Sequence, residues 1–363
     1  MNLKFGRPEG DNFYNELSQR VNQYFRQNNI SRNANAEMII KTIVVMLAYF
    51  GPYAVIFLFP MPVWLMWALC VVMGIGLAGV GMGVMHDANH NSYSSIKWVN
   101  TLLGYTLNMV GGNRNNWIIQ HNVKHHTFTN VYGEDDDIEN GNLIRLSPHA
   151  EWSWHHRFQH FYSWFLYMFG TITWTTAKDF RQIFRYSRDK YIKSKAEVSK
   201  ELTLTIISKV VYYGYMLFLP ILFLDVPFYY VLIGYITHHF TAGIILTVTF
   251  QLAHVVENNQ YISKHNSDTL EDSWAVHQVK TTANFARRSR ILNWYLGGLN
   301  HQIEHHLFPN ICHIHYRKLG DIVKKTAKDH GLRYNEHTTL IRAIRSHYRM
   351  LKSFSQPPEV ANS

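Results

Sequence analysis

Four long apolar runs, arranged as two close pairs, constrain this chain more than any other feature of its sequence. The first goes from about Met38 to Phe59 and is interrupted by Gly51-Pro52. After the Pro60-Met61-Pro62 turn the second extends from Val63 to about Met85. The other pair covers about Leu202–Leu224 and Phe228–Leu252, with Asp225-Val226-Pro227 between them. At 1.5 Å of rise per residue, each run is long enough to cross a hydrocarbon layer of about 30 Å as a helix. The expectation is an all-α integral membrane protein with four transmembrane helices in two hairpins. Mean hydropathy is slightly negative over the whole chain, so a substantial polar body must accompany the spans.

Charge assigns the sides. Neither hairpin turn contains Lys or Arg, whereas the segment before the third run carries Arg181, Arg185, Arg188, Lys190, Lys193, Lys195 and Lys200. By the positive-inside bias, that segment, both termini and the tail are expected in the cytosol. Two weaker apolar stretches, Val99–Gly111 and Phe161–Thr176, are too short or too polar to span and read as interfacial or re-entrant helices. Residues 1–37 lack the apolar core of a signal peptide and read as a cytosolic segment. Residues 38–325 read as one membrane domain with a His-rich helical cap on the cytosolic side, and 326–363 as a cytosolic tail. The net charge of +10 sits on residues flanking the spans, and no nucleic-acid motif occurs. The basic balance therefore points to a lipid bilayer with anionic headgroups, not to nucleic acid. Two cysteines, Cys70 and Cys312, build neither a disulfide framework nor a thiolate metal site.

The unusual residue is histidine, of which there are 22. Three clusters stand out: His86-Asp87-Ala88-Asn89-His90, His121-Asn122-Val123-Lys124-His125-His126, and His301-Gln302-Ile303-Glu304-His305-His306. On an α-helix, residues four apart share a face. His86 and His90 should therefore converge, as should His121 and His125 with His126 beside them, and Gln302 should sit above His305 and His306. Neutral imidazole is a ligand for iron, copper, zinc or nickel. Seven such histidines on one membrane side are too many for one ion and suit two. His254, just past the fourth run on the same side, adds to them.

These clusters, with WIIQHNVKHHTFTN over Trp117–Asn130, Asp135-x-Asp137-Ile138, and GGLNHQIEHHLFP over Gly297–Pro309, resemble the three histidine boxes of the membrane fatty acid desaturases. Gln302 at the head of the third box is similar to the front-end subgroup, the delta-5, delta-6 and linoleoyl-CoA desaturase-like enzymes. The resemblance covers about residues 38–325. It implies two iron ions, O2 as co-substrate, and a fatty acyl chain delivered on coenzyme A, a carrier protein or a lipid. The implied metal ligands are His86, His90, His121, His125, His126, His254, His305 and His306, with Gln302 bound directly or through water. The His-Pro-Gly-Gly haem signature of a fused cytochrome b5 domain does not occur. Electrons are thus expected from a separate donor such as a ferredoxin or cytochrome b5.

Asp87, Glu304, Asp135 and Asp137 are candidates to orient imidazoles through the free ring N–H. Ordinary solvated acids are the alternative, favoured for Asp135 and Asp137. Asn300 and Trp117 either line the site or pack in the core. His155, His156 and His160 read as interface residues, and His238 and His239 as polar groups facing a bundle interior. Two rivals remain. A hydroxylase of the same histidine-box superfamily would add oxygen instead of removing hydrogen. The other is a non-catalytic metal-binding membrane protein, such as a transporter or receptor; a transporter would place its ligands at the bilayer midplane, which the positions just outside the runs disfavour.

Overall fold

The structure is a computed structural model that describes residues 3–6, 8–139, 142–264 and 268–358. It is mostly helical, and the chain divides into two compact units. One consists of residues 34–119 and 165–248. The other consists of residues 1–33, 120–164 and 249–363.

The first unit holds most of the apolar helix. Among the described residues, four helices are long and apolar enough to cross a membrane: Ala36–Leu58, Val63–Asn89, Lys195–Phe223 and Phe228–His254. Three differ from the sequence expectation in instructive ways. Gly51-Pro52 does not break the first helix, which runs through a buried Pro52 without interruption. Pro52 gives up one backbone hydrogen bond, but lipid-facing helices tolerate this where neighbouring helices hold the backbone. The third helix starts seven residues before the apolar run. Ser194 caps it, accepting from Glu197 N at 3.1 Å while Glu197 accepts from Ser194 N, a reciprocal arrangement that satisfies two otherwise orphaned donors. The fourth continues to His254.

Much apolar surface on these helices faces outward: Ile40 is 60% exposed, Leu47 62%, Val210 67% and Leu222 70%. Surface of this kind requires lipid, as expected for an integral membrane protein. Small residues let the helices approach. A Cβ at Gly76 would lie 2.5 Å from Tyr49 N, and one at Gly74 would lie 2.5 Å from His238 O, so only glycine admits these crossings.

Inside this unit several buried polar groups are paired. Lys209 Nζ donates to Asp179 Oδ2 at 2.8 Å and to the carbonyls of Gly111 and Trp174. His239 is hydrogen-bonded at both ring nitrogens, by Thr171 Oγ1 at 2.9 Å and Tyr212 OH at 2.6 Å. An apolar cavity of about 380 Å³ lies among the four helices, lined by residues including Cys70, Met73, Met216, Gly234, Tyr235 and His238.

The second unit is a polar helical body. Phe13, Leu17, Val21 and Phe25 form one stripe of helix Phe13–Asn28. They share a core with Ala275, Val279, Ile303, Leu307, Leu319 and Val323. Three two-residue parallel strand pairs tie distant segments together: Lys4–Phe5 with Thr269–Leu270, Val131–Tyr132 with Ile262–Ser263, and Asn284–Phe285 with Glu336–His337.

Candidate metal centre

The second histidine cluster does not lie on an α-helix. Ile118–His125 is wound as a π-helix, and His126 N bonds to His121 O, five residues back, at 2.9 Å. The wider turn returns His126, rather than His125, over His121. Such turns are uncommon and concentrate at functional sites. The result is a tight convergence: His126 Nε2 lies 3.2 Å from His121 Nε2 and 2.9 Å from His305 Nε2. On its other side the ring of His126 stacks on that of His306, with centroids 4.3 Å apart.

His125 points elsewhere. Its ring meets those of His254 at 4.6 Å and His306 at 4.9 Å. Among the described residues, this unit has two all-histidine groups of possible ligand atoms, each within 4.8 Å: His125 with His254 and His306, and His126 with His305 and His306. Two groups sharing one member match a pair of neighbouring ions better than a single ion.

The rings are oriented from behind, through Nδ1. His125 Nδ1 donates to Asp135, at 3.0 Å from Oδ2 and 3.1 Å from Oδ1. His306 Nδ1 donates to Gln278 Oε1 at 2.8 Å, and His305 Nδ1 to Tyr316 OH at 3.3 Å. A proton held on Nδ1 leaves the Nε2 lone pair for a metal. These partners are themselves fixed. Asp135 accepts from Asn130 N at 2.9 Å and Asp137 N at 3.0 Å. Thr129 Oγ1 lies 2.8 Å from Gln278 Oε1. His277 Nε2 donates to Thr129 O at 2.9 Å, and burial pushes its imidazole down to about 4, keeping it neutral. Burial opposes charge on His125 as well, but Asp135 and Asp137 outweigh it and raise its pKa above the ordinary histidine value.

The residues fit a metal by their unmet chemistry. His125 Nε2, both ring nitrogens of His254 and Gln302 Oε1 are buried and have no hydrogen-bond partner among the described residues. A buried polar atom without a partner costs on the order of 1–3 kcal/mol, and a cation bound there would recover that cost.

In the other unit, His86 and His90 stand one helical turn apart with ring centroids at 4.7 Å. Trp117 packs edge-on against both, at 5.6 and 5.7 Å. Trp117 therefore lines the first histidine pair.

Several expectations need correction. Asp135 and Asp137 are not solvated acids. Asp135 is fully buried, and Asp137 Oδ2 lies 3.7 Å from His125 Nδ1 and 3.8 Å from His121 Nδ1. The charge of these two imidazoles, opposed by burial, holds Asp137 well below the usual carboxylate range. Asp87 Oδ1 is 3.7 Å from His86 Nδ1, beyond hydrogen-bonding reach. Glu304 accepts from Asn284 at 2.7 Å and Tyr334 at 2.8 Å and approaches His301, so it anchors the third cluster's helix. Asn300 bonds Phe285 O and Asn293 and shapes the preceding loop. Gln278, Thr129 and Tyr316 carry no spacing signal and went unseen in the sequence. Only their position behind the rings reveals them.

A family profile described as fatty acid desaturase matches residues 62–338. The chain belongs to the fatty acid desaturase family. It is 37% identical to the sn-1 linoleoyl-lipid 6-desaturase of Arthrospira platensis over 98% of this chain and 96% of that one. It is 38% identical to the enzyme of the same name from Synechocystis sp., over 98% of each. The acyl-lipid (8-3)-desaturase of Physcomitrium patens is 33% identical over 96% of this chain and 73% of its own. This desaturase is accordingly an oxidoreductase that introduces a double bond into a fatty acyl chain, and its subgroup is the front-end one.

Proposed function

We propose that this desaturase is an O2-dependent di-iron enzyme acting on acyl groups esterified to membrane lipid, forming the double bond at carbon 6 of an sn-1 linoleoyl chain. The observation that carries the reading is the convergence of imidazole Nε2 atoms with acceptors fixed behind Nδ1. The lipid-linked substrate and the position rest on full-length similarity to two relatives named for that reaction.

The ligand set comprises His121, His125, His126, His254, His305 and His306, together with His86 and His90 from the first cluster and Gln302 as a direct or water-bridged ligand. Two irons held there, with O2 and two electrons from a ferredoxin or cytochrome b5-type donor, would supply the oxidising power to remove two hydrogens from adjacent methylenes. The protein's own task is placement. Asp135, Gln278 and Tyr316 hold the rings in one tautomer and one orientation. The apolar cavity takes the methyl end of the chain; Cys70 and Met73 line it about four turns before His86 on the same helix. A Cβ at Gly234 would lie 3.0 Å from Cys70 Sγ, so side chains added there shorten the cavity.

The four apolar helices form two hairpins with lysine- and arginine-free turns on the far side. Both termini and the metal centre are cytosolic. The short helices Lys97–Gly104 and Gln159–Tyr167 lie at the interface; Trp98, Leu102, Phe161 and Phe165 on them are all exposed. The catalytic body spans residues 38–325, with 1–37 and 326–363 as cytosolic segments.

The test is mass spectrometry of lipids from host cells fed linoleate, with double bonds located by derivatisation and His305→Ala/His306→Ala as control. A new double bond at carbon 6 of sn-1 chains, absent in the control, is the expected result. A product heavier by one oxygen would turn the reading to hydroxylation, and a bond at another carbon would remove the positional claim. Gly234→Leu should lower the longest chain length accepted.

A further inference from the structure

Helix Tyr316–Asp329 has two unlike faces. Tyr316, Leu319, Val323 and Ala327 are buried in the core of their unit. The opposite face presents Arg317, Lys318, Lys324, Lys325 and Lys328, all exposed and recurring at helical spacing. The two acidic residues of this helix are already engaged, Asp321 by Arg287 at 2.9 Å and Asp329 by Arg20 at 2.7 Å. Lys324 is paired with Glu336 at 2.8 Å. Arg317, Lys318, Lys325 and Lys328 make no ion pair among the described residues and are left to the solvent side.

The same helix touches the metal centre. Tyr316, its first residue, accepts from His305 Nδ1 at 3.3 Å and donates to Phe308 O at 3.3 Å. A cationic outer face and the partner of a metal-ligating ring thus sit on one rigid element, with Arg317 the direct neighbour of Tyr316.

We infer that this face docks the one-electron carrier, a small acidic redox protein, with Tyr316 and His305 as the point of electron entry. The inference rests on the di-iron desaturase reading above. Forming one double bond takes R–CH2–CH2–R′ + O2 + 2 e⁻ + 2 H⁺ to R–CH=CH–R′ + 2 H2O. A one-electron carrier must therefore bind, be oxidised and leave twice per product. Repeated exchange calls for a charged surface that steers association without holding tightly. A bilayer is the poorer occupant. Membrane-lying helices present bulky apolar side chains among their charges, as Lys178–Arg188 does with Phe184 between Arg181 and Arg188. The exposed positions of Tyr316–Asp329 are all charged.

The experiment uses the full chain in nanodiscs with a plant-type [2Fe–2S] ferredoxin as probe, and measures association by biolayer interferometry at low and high salt. Lys318→Glu/Lys325→Glu should weaken association about tenfold at low salt, with the gap closing as salt rises. Arg181→Glu/Arg188→Glu should leave it unchanged. Iron content and product yield from chemically reduced enzyme given one pulse of O2 should be normal in the first variant, because electrons then bypass the surface. Undiminished association in that variant, or no salt-dependent association of the wild type, would overturn the inference. Loss of affinity for phosphatidylglycerol vesicles with carrier binding intact would also overturn it and give the face to lipid. If chemically reduced wild type yields no double bond, the catalytic reading fails and not the docking surface.

Discussion

His125 and His239 are both buried imidazoles held by well-made hydrogen bonds, and they do opposite things. His239, in the membrane unit, is hydrogen-bonded at both nitrogens by hydroxyls of Thr171 and Tyr212. Nothing is left over, and the ring acts as a crosslink between helices. His125, in the polar unit, has one nitrogen fixed by Asp135 and the other without a partner among the described residues. Burial alone does not mark a functional histidine. What marks it is asymmetry: one side over-determined and the other open to an electrophile.

That contrast can be broken most directly by removing the rings. His125→Ala should abolish double-bond formation and cost at least one iron per chain by elemental analysis. His239→Ala should keep its iron and lose thermal stability instead. Equal iron loss in both would erase the distinction. The partner behind the ring comes next. Asp135→Asn preserves shape but removes the charge that favours His125 as a donor, and should weaken iron binding about 10- to 100-fold in competition with a chelator. Gln278→Ala acts on His306 through a neutral partner and should fall at the lower end of that range, with Gln278→Glu recovering the loss. A larger effect from Gln278 than from Asp135 would mean that shape, not charge, sets the affinity. In the membrane unit the comparable device is steric. Gly76→Val forces a Cβ against Tyr49 N and should cost about 1–3 kcal/mol of stability, read as a lower melting midpoint with iron retained per folded chain.

Much of this was legible beforehand, for physical reasons. Apolar runs of spanning length can be read directly, because hydrocarbon leaves the backbone few alternatives to a helix. The histidine clusters were legible because they gather a residue type that chance supplies sparsely. The ends of the helices were less so. The third helix begins at Lys195 because Ser194 and Glu197 cap it, a local signal hidden beneath a hydropathy average. The supporting residues were least legible. Gln278 and Tyr316 reach the rings across 28 and 11 residues of sequence, and nothing in their types distinguishes them from other polar side chains. Asp135 reads from sequence as a candidate to orient an imidazole with a solvated acid as the favoured alternative, since a carboxylate beside two others reads as solvated until a buried imidazole is found against it.

The wide turn through Ile118–His125 ties the centre to chain length as well as to composition. Such a turn is what an α-helix becomes when one residue is inserted and its flanks stay put. Removing any single residue between Trp117 and His121 would let the segment relax to ordinary winding, in which residues five apart stand about 140° from one another around the helix axis. All of the histidines would survive, yet His126 would no longer lie over His121. In this stretch a gap is more damaging than most substitutions, and homologues that carry the same letters out of step by one should be expected to bind iron poorly.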